Sequence, residues 1–77
     1  VSPTVYTFNA LKVKIHSDDH NPPHVHVEGK GCVARFDLRD LSLMSNTGFH
    51  RSDIARIRRA LRTRVITLME IWNDLNE

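Results

Sequence analysis

A chain of 77 residues, 40% hydrophobic and 26% charged, is sized for a single domain over residues 1–77. Such a domain buries only about 60% of the surface its unfolded chain exposes, which argues against a deep cofactor cleft unless a second copy supplies a wall. The formal charge is only +2, and the one cysteine, Cys32, excludes both an internal disulfide and a four-thiolate metal site, as suits a reducing compartment. No apolar run is long enough to span a bilayer, and no charged, apolar and small-residue order marks a signal peptide. The expected location is therefore the cytoplasm, with no membrane partner.

Thr4 to Phe8 and Leu11 to His16 are rich in β-branched and aromatic residues and are separated by Asn9-Ala10, which predicts a hairpin. In the second strand Leu11, Val13 and Ile15 alternate with Lys12, Lys14 and His16, so the apolar set takes one face and the basic set the other. Ser17 to Pro23 is a predicted loop, because its two prolines cannot continue a ladder and hold the residues before them extended. A strand resumes from His24 to Glu28, with Val25 and Val27 on one face and His24, His26 and Glu28 on the other. After Gly29-Lys30-Gly31, the next strand runs from Cys32 to Leu38 with Ala34, Phe36 and Leu38 inward and Arg35 and Asp37 outward.

Leu41 to Met44 is a candidate last edge strand, and Asn46-Thr47-Gly48 a turn. From Ser52 or Asp53 to Leu75 there is neither glycine nor proline, and Ile54, Ile57, Leu61, Val65, Leu68, Trp72 and Leu75 recur at three- and four-residue steps. The pattern predicts one helix of roughly 23 residues and about 35 Å; a break near Thr63 has no residue to mark it. The expected class is α+β: a small antiparallel sheet of four strands, or five with Leu41–Met44, followed by one long C-terminal helix packed on one face. The helix is longer than short strands would cover, so part of it is expected to pack on another chain. Trp72, in phase with Leu68 and Leu75, is a core residue, and Phe49 is placed to staple the helix start.

The stretch from Asp18 to Glu28 holds three of the five histidines, and its residue types fit three chemistries. His24 and His26, about 6–7 Å apart along a strand, form a His-x-His pair that with Glu28 could hold one divalent ion such as zinc, with His20 or Asp18 as alternative ligands. The same imidazoles, with His20, are the acid and base of a metal-independent ribonuclease, in which Lys12 and Lys14 on the His16 face would stabilise phosphate. A polar sheet surface with no cofactor is the third reading, and the sequence does not choose among them. On the helix, Arg51, Arg58, Arg59 and Arg62 form a basic stripe beside the apolar face, suited to RNA or an acidic protein. No aromatics are interleaved with it for base stacking. With Glu70, Asp74 and Glu77 following, the charge order opposes the helix dipole, and an antiparallel homodimer would set basic half against acidic half.

Pro3-Thr4-Val5, the core Asp19-His20-x-Pro22-Pro23-His24-Val25-His26-Val27, Gly48-Phe49 before a charged helix, and Trp72-Asn73 near its end together resemble a small uncharacterised bacterial domain-of-unknown-function family over nearly the whole chain. The resemblance implies a protein encoded beside a second short domain-of-unknown-function protein, in a toxin-antitoxin-like arrangement, acting on that neighbouring gene product. It supplies no catalytic residues; His20, His24 and His26 are the positions that match its motif. Where the family has a serine-type cap this chain has His50, so Ser52 is the expected helix cap in place of a His50–Asp53 box.

Overall fold

The computed structural model describes residues 4–16 and 21–76. Five strands, β1 (Thr4–Phe8), β2 (Leu11–Lys14), β3 (His24–Gly29), β4 (Cys32–Asp37) and β5 (Leu43–Thr47), form one sheet in chain order, each antiparallel to the next. Two helices follow, α1 (Arg51–Arg62) and α2 (Val65–Asn76). The class is thus α+β, as the sequence predicts, with a fifth strand. Among the described residues no helix is long and apolar enough to cross a membrane.

The alternation in the strands sets the layers. Leu11, Val13 and Ile15, Val25 and Val27, and Ala34, Phe36 and Leu38 are all buried, and they share a core with Ile54, Ile57 and Leu61 of α1 and Leu68 and Trp72 of α2. The pairing of Val13 with Val27 and of Val25 with Phe36 brings like faces together across the sheet. A slip of one residue in either ladder would turn this apolar set to solvent, so the register is strongly specified.

The single long helix is corrected to two of 12 residues each. The break needs neither glycine nor proline. The Thr63 hydroxyl donates to Ala60 O at 2.8 Å, and Arg64 N bonds to Leu61 O, three residues back rather than four. A threonine bonded back to the preceding turn, together with a tightened 3₁₀-type bond, is a recognised cause of helix bending. Regular spacing resumes with Leu68 N on Arg64 O. Within α1 the charge order becomes favourable, with Asp53 in its first turn and Arg59 and Arg62 in its last, whereas α2 keeps Glu70 and Asp74 toward its C-terminal end and has no basic residue in its last turn.

Two further expectations are revised. The edge strand is Leu43–Thr47 rather than Leu41–Met44, so Asn46 and Thr47 belong to β5 and not to a turn. The Asn46 side chain makes the turn instead, accepting from Phe49 N at 3.2 Å and donating to Phe49 O at 2.9 Å, while its backbone stays paired with Ala34. The helix cap is His50, not Ser52, and its backbone N–H donates to Asp53 Oδ2 at 3.2 Å. Phe49 and Ile54, on either side of that cap, are both buried, as a hydrophobic staple requires.

The β1–β2 turn carries both Asn9 and Ala10 at positive φ, 47° and 64°. Asparagine tolerates this region, but the Cβ of Ala10 costs roughly 1–2 kcal/mol there. Ala10→Gly is expected to raise stability by about 0.5–1 kcal/mol, after allowing for the extra freedom glycine gains in the unfolded chain. An unchanged or lower urea midpoint would contradict it.

Candidate functional site

The sheet face opposite the apolar set gathers the histidines. Lys14 pairs with His26, and His26 with Arg35; His24 pairs with Asp37, and Lys12 with Glu28. His16 follows β2 and reaches the same cluster: its ring lies 4.5 Å from that of His26, edge-on at 90°. The rings of His26 and His24 are 5.1 Å apart, and that of His24 is 5.2 Å from Trp72 of α2. Four rings, His16, His26, His24 and Trp72, therefore form one continuous series from the sheet surface to the core. His20 lies outside the described residues, as do Asp18 and Asp19.

The members of this series differ in exposure. His24 is only 4% exposed, whereas His16 and His26 are half-buried. His24 Nδ1 lies 2.8 Å from Pro22 O. A carbonyl only accepts, so Nδ1 carries the hydrogen and, in the neutral ring, the lone pair is on Nε2. Pro22 follows a cis Asn21–Pro22 bond, and Leu38 N donates to Pro23 O at 2.9 Å, tying the proline pair to the end of β4. At the other end, Asn76 Nδ2 donates to His16 O at 3.2 Å, joining the last turn of α2 to the histidine end of the sheet. The site is thus held by β2, β3, β4 and α2.

The charges around the rings are mostly matched. Lys14 Nζ donates to Glu28 Oε1 at 2.8 Å. That hydrogen bond holds the Glu28 carboxyl below its ordinary value in spite of desolvation, and the charges of Lys14, His26 and His16 act the same way. Asp37, buried at the start of the β4–β5 connection, accepts from Arg39 N at 2.7 Å and takes a two-pronged contact from the Arg39 guanidinium at 2.8–3.2 Å. The side-chain bonds from Arg39 hold its carboxyl low against desolvation, with smaller help from the Arg39 backbone N–H, the Arg39 charge and His24. Arg35 Nε donates to Ser45 Oγ at 3.0 Å.

These contacts bear on each candidate role. Lys14, expected to meet phosphate, and Glu28, expected as a metal ligand with His24 and His26, are bonded to each other. Among the described residues, no group of three or more His, Cys, Asp or Glu side chains is placed to hold a metal ion. Of the helical arginines, Arg58 faces inward: its Nε donates to Leu41 O at 2.9 Å and its guanidinium lies 5.9 Å from the centre of the Phe36 ring. Arg59 and Arg62 are exposed. The sequence reading missed Arg35 and Asp37 as neighbours of the histidines, although their outward phase on β4 was the signal. It also read Trp72 as core alone, where its ring closes over His24.

A family model described as Domain of unknown function (DUF4160) matches residues 11–73. No curated protein and no solved structure matches the chain.

Proposed function

We propose that this chain, which belongs to the DUF4160 domain-of-unknown-function family, is the partner-binding component of a two-gene, toxin-antitoxin-like module. It engages the neighbouring gene product through the polar sheet face on which His16 and His26 stand half-buried and Lys12 and Arg35 exposed. The observation that carries the reading is the packing of His24: a ring 4% exposed, set against Trp72 and bonded through Nδ1 to Pro22 O, is placed to stiffen a surface rather than to exchange protons with a substrate. With Lys14 neutralised by Glu28 and Arg39 by Asp37, the remaining fixed charge on the face among the described residues is that of Lys12 and Arg35. This favours an acidic partner surface and gives electrostatics a part in choosing it.

The test is titration calorimetry of the purified chain with the product of the adjacent gene. Lys12→Glu combined with Arg35→Glu should weaken binding by at least about tenfold while leaving the fold intact, since both side chains are exposed. Equal affinity of variant and parent would overturn the assignment of this face, and light scattering that shows only self-association would replace the partner by a second copy. RNA cleavage by the parent, lost in a folded His26→Ala variant, would replace binding by the ribonuclease chemistry of His16 and His26.

A further inference from the structure

The end of the sheet away from His16 and His24 holds a cleft of about 230 Å³, and its walls come from the β1–β2 turn, the β3–β4 turn and the Gly48–Ile57 segment. Its inner walls are Leu11, Phe49 and Ile57, all buried, with Phe8 beside them. Lys30 and Arg56, both exposed, stand at its rim with His50. A concave apolar surface with a few convergent polar groups is the arrangement in which small ligands bind. The volume selects among them. Pockets for drug-sized ligands measure about 300 Å³ or more, and an apolar cavity of about 150 Å³ accepts a single benzene ring.

The charge at the rim is cationic in effect. The one carboxylate of the lining, Asp53, is already used: Oδ2 accepts from His50 N at 3.2 Å, and Oδ1 lies 3.9 Å from Arg56. At that separation the Arg56 guanidinium keeps most of its five donors for an incoming anion. The shape is also set in advance. Lys30 and Gly31 at φ 54° and 75°, and Asn9 and Ala10 opposite, fix two tight turns, and Gly29 lets them approach, since a Cβ there would lie 2.6 Å from Leu11 Cδ2 and 2.9 Å from Ala10 O. On the remaining side Gly48, at φ 98°, lies flat against Cys32, whose Sγ would be 2.8 Å from an added Cβ.

We propose that this cleft is a binding site for a small carboxylate bearing one ring or one branched alkyl group, with the apolar part against Leu11, Phe49 and Ile57 and the carboxylate at Arg56 and Lys30. An inorganic dianion would leave the apolar walls wet, and an uncharged ring would forgo the two cations.

Amide NMR shifts of the isotope-labelled chain, followed while benzoate, benzyl alcohol or inorganic phosphate is added up to about 10 mM, test the proposal. Benzoate should shift Phe8, Leu11, Cys32, Gly48 and Phe49 saturably. Benzyl alcohol and phosphate should bind at least about tenfold more weakly, as expected for losing a charged hydrogen bond or the apolar contact. Arg56→Gln, an exposed change on α1, should weaken benzoate by about tenfold without altering the unfolding midpoint, and Lys30→Asn, which keeps a residue tolerant of positive φ, should act in the same direction. Absence of saturable shifts, equal affinity for benzyl alcohol, or shifts centred on His16 and His26 would each overturn it.

Discussion

Replacing Trp72 by alanine is expected to lower stability by about 3–5 kcal/mol, the usual loss for truncating a large buried aromatic side chain. Trp72 is 3% exposed and joins two parts of the molecule, with Leu68 in the core and the His24 ring at 5.2 Å. A domain of this length has roughly 4–12 kcal/mol in total at about 0.05–0.15 kcal/mol per residue, so the variant should lose at least about a quarter of its stability. Trp72→Phe keeps a ring against His24 and should cost much less, about 1–2 kcal/mol. Because Trp72 is the only tryptophan, the measurement is urea unfolding followed by far-ultraviolet circular dichroism rather than by fluorescence. A Trp72→Ala variant within about 1 kcal/mol of the parent would mean that α2 is not docked as described.

The strands were legible because their information is local. Leu11, Val13 and Ile15 against Lys12, Lys14 and His16 state both the period and the face, and an antiparallel return then brings His24 and His26 to the His16 side. The helix break was not legible, since it depends on a threonine hydroxyl turning to Ala60 O, which a residue tolerated in helices can do without any sequence mark. Asn46 was misread for a related reason: its turn chemistry is real but is carried by the side chain, while its backbone remains in β5. The burial of His24 was hidden because the ring that covers it, Trp72, lies 48 positions further along the chain. The same holds for the cleft at the opposite end, whose walls come from three separate stretches, and for Arg58, whose bond to Leu41 O crosses from α1 to the β4–β5 connection.

That connection leads to the second large effect. Leu41 is buried at a φ of 60°, a conformation costly for a side chain of its size. It is held by its own N–H on Asp37 O at 2.7 Å and by Arg58 on its carbonyl, while Asp37 N bonds to Ser42 O at 2.9 Å. Asp37 thus organises the loop with its backbone and its carboxylate together. Asp37→Asn keeps the shape but loses the charge that draws in Arg39, and it should cost about 2 kcal/mol at neutral pH. The pH dependence follows from the sign of the shift. The Asp37 carboxyl is held low in the folded state, chiefly by the Arg39 side chain, so the folded protein binds its proton less readily than the unfolded chain does. Its contribution is complete above the unfolded value and is lost as the pH falls through the lower folded value. Glu28, held low chiefly by Lys14, acts in the same direction on the exposed face, where solvent screening makes its share smaller. Urea unfolding from pH 7 to pH 3 should therefore show the parent weakening as the solution is acidified below about pH 5. Asp37→Asn should weaken less steeply, so that the two curves converge at the acid end. A gap between parent and variant that stays constant over this range would mean that the carboxylate charge does not hold the loop, and that the loss in Asp37→Asn arises from packing alone.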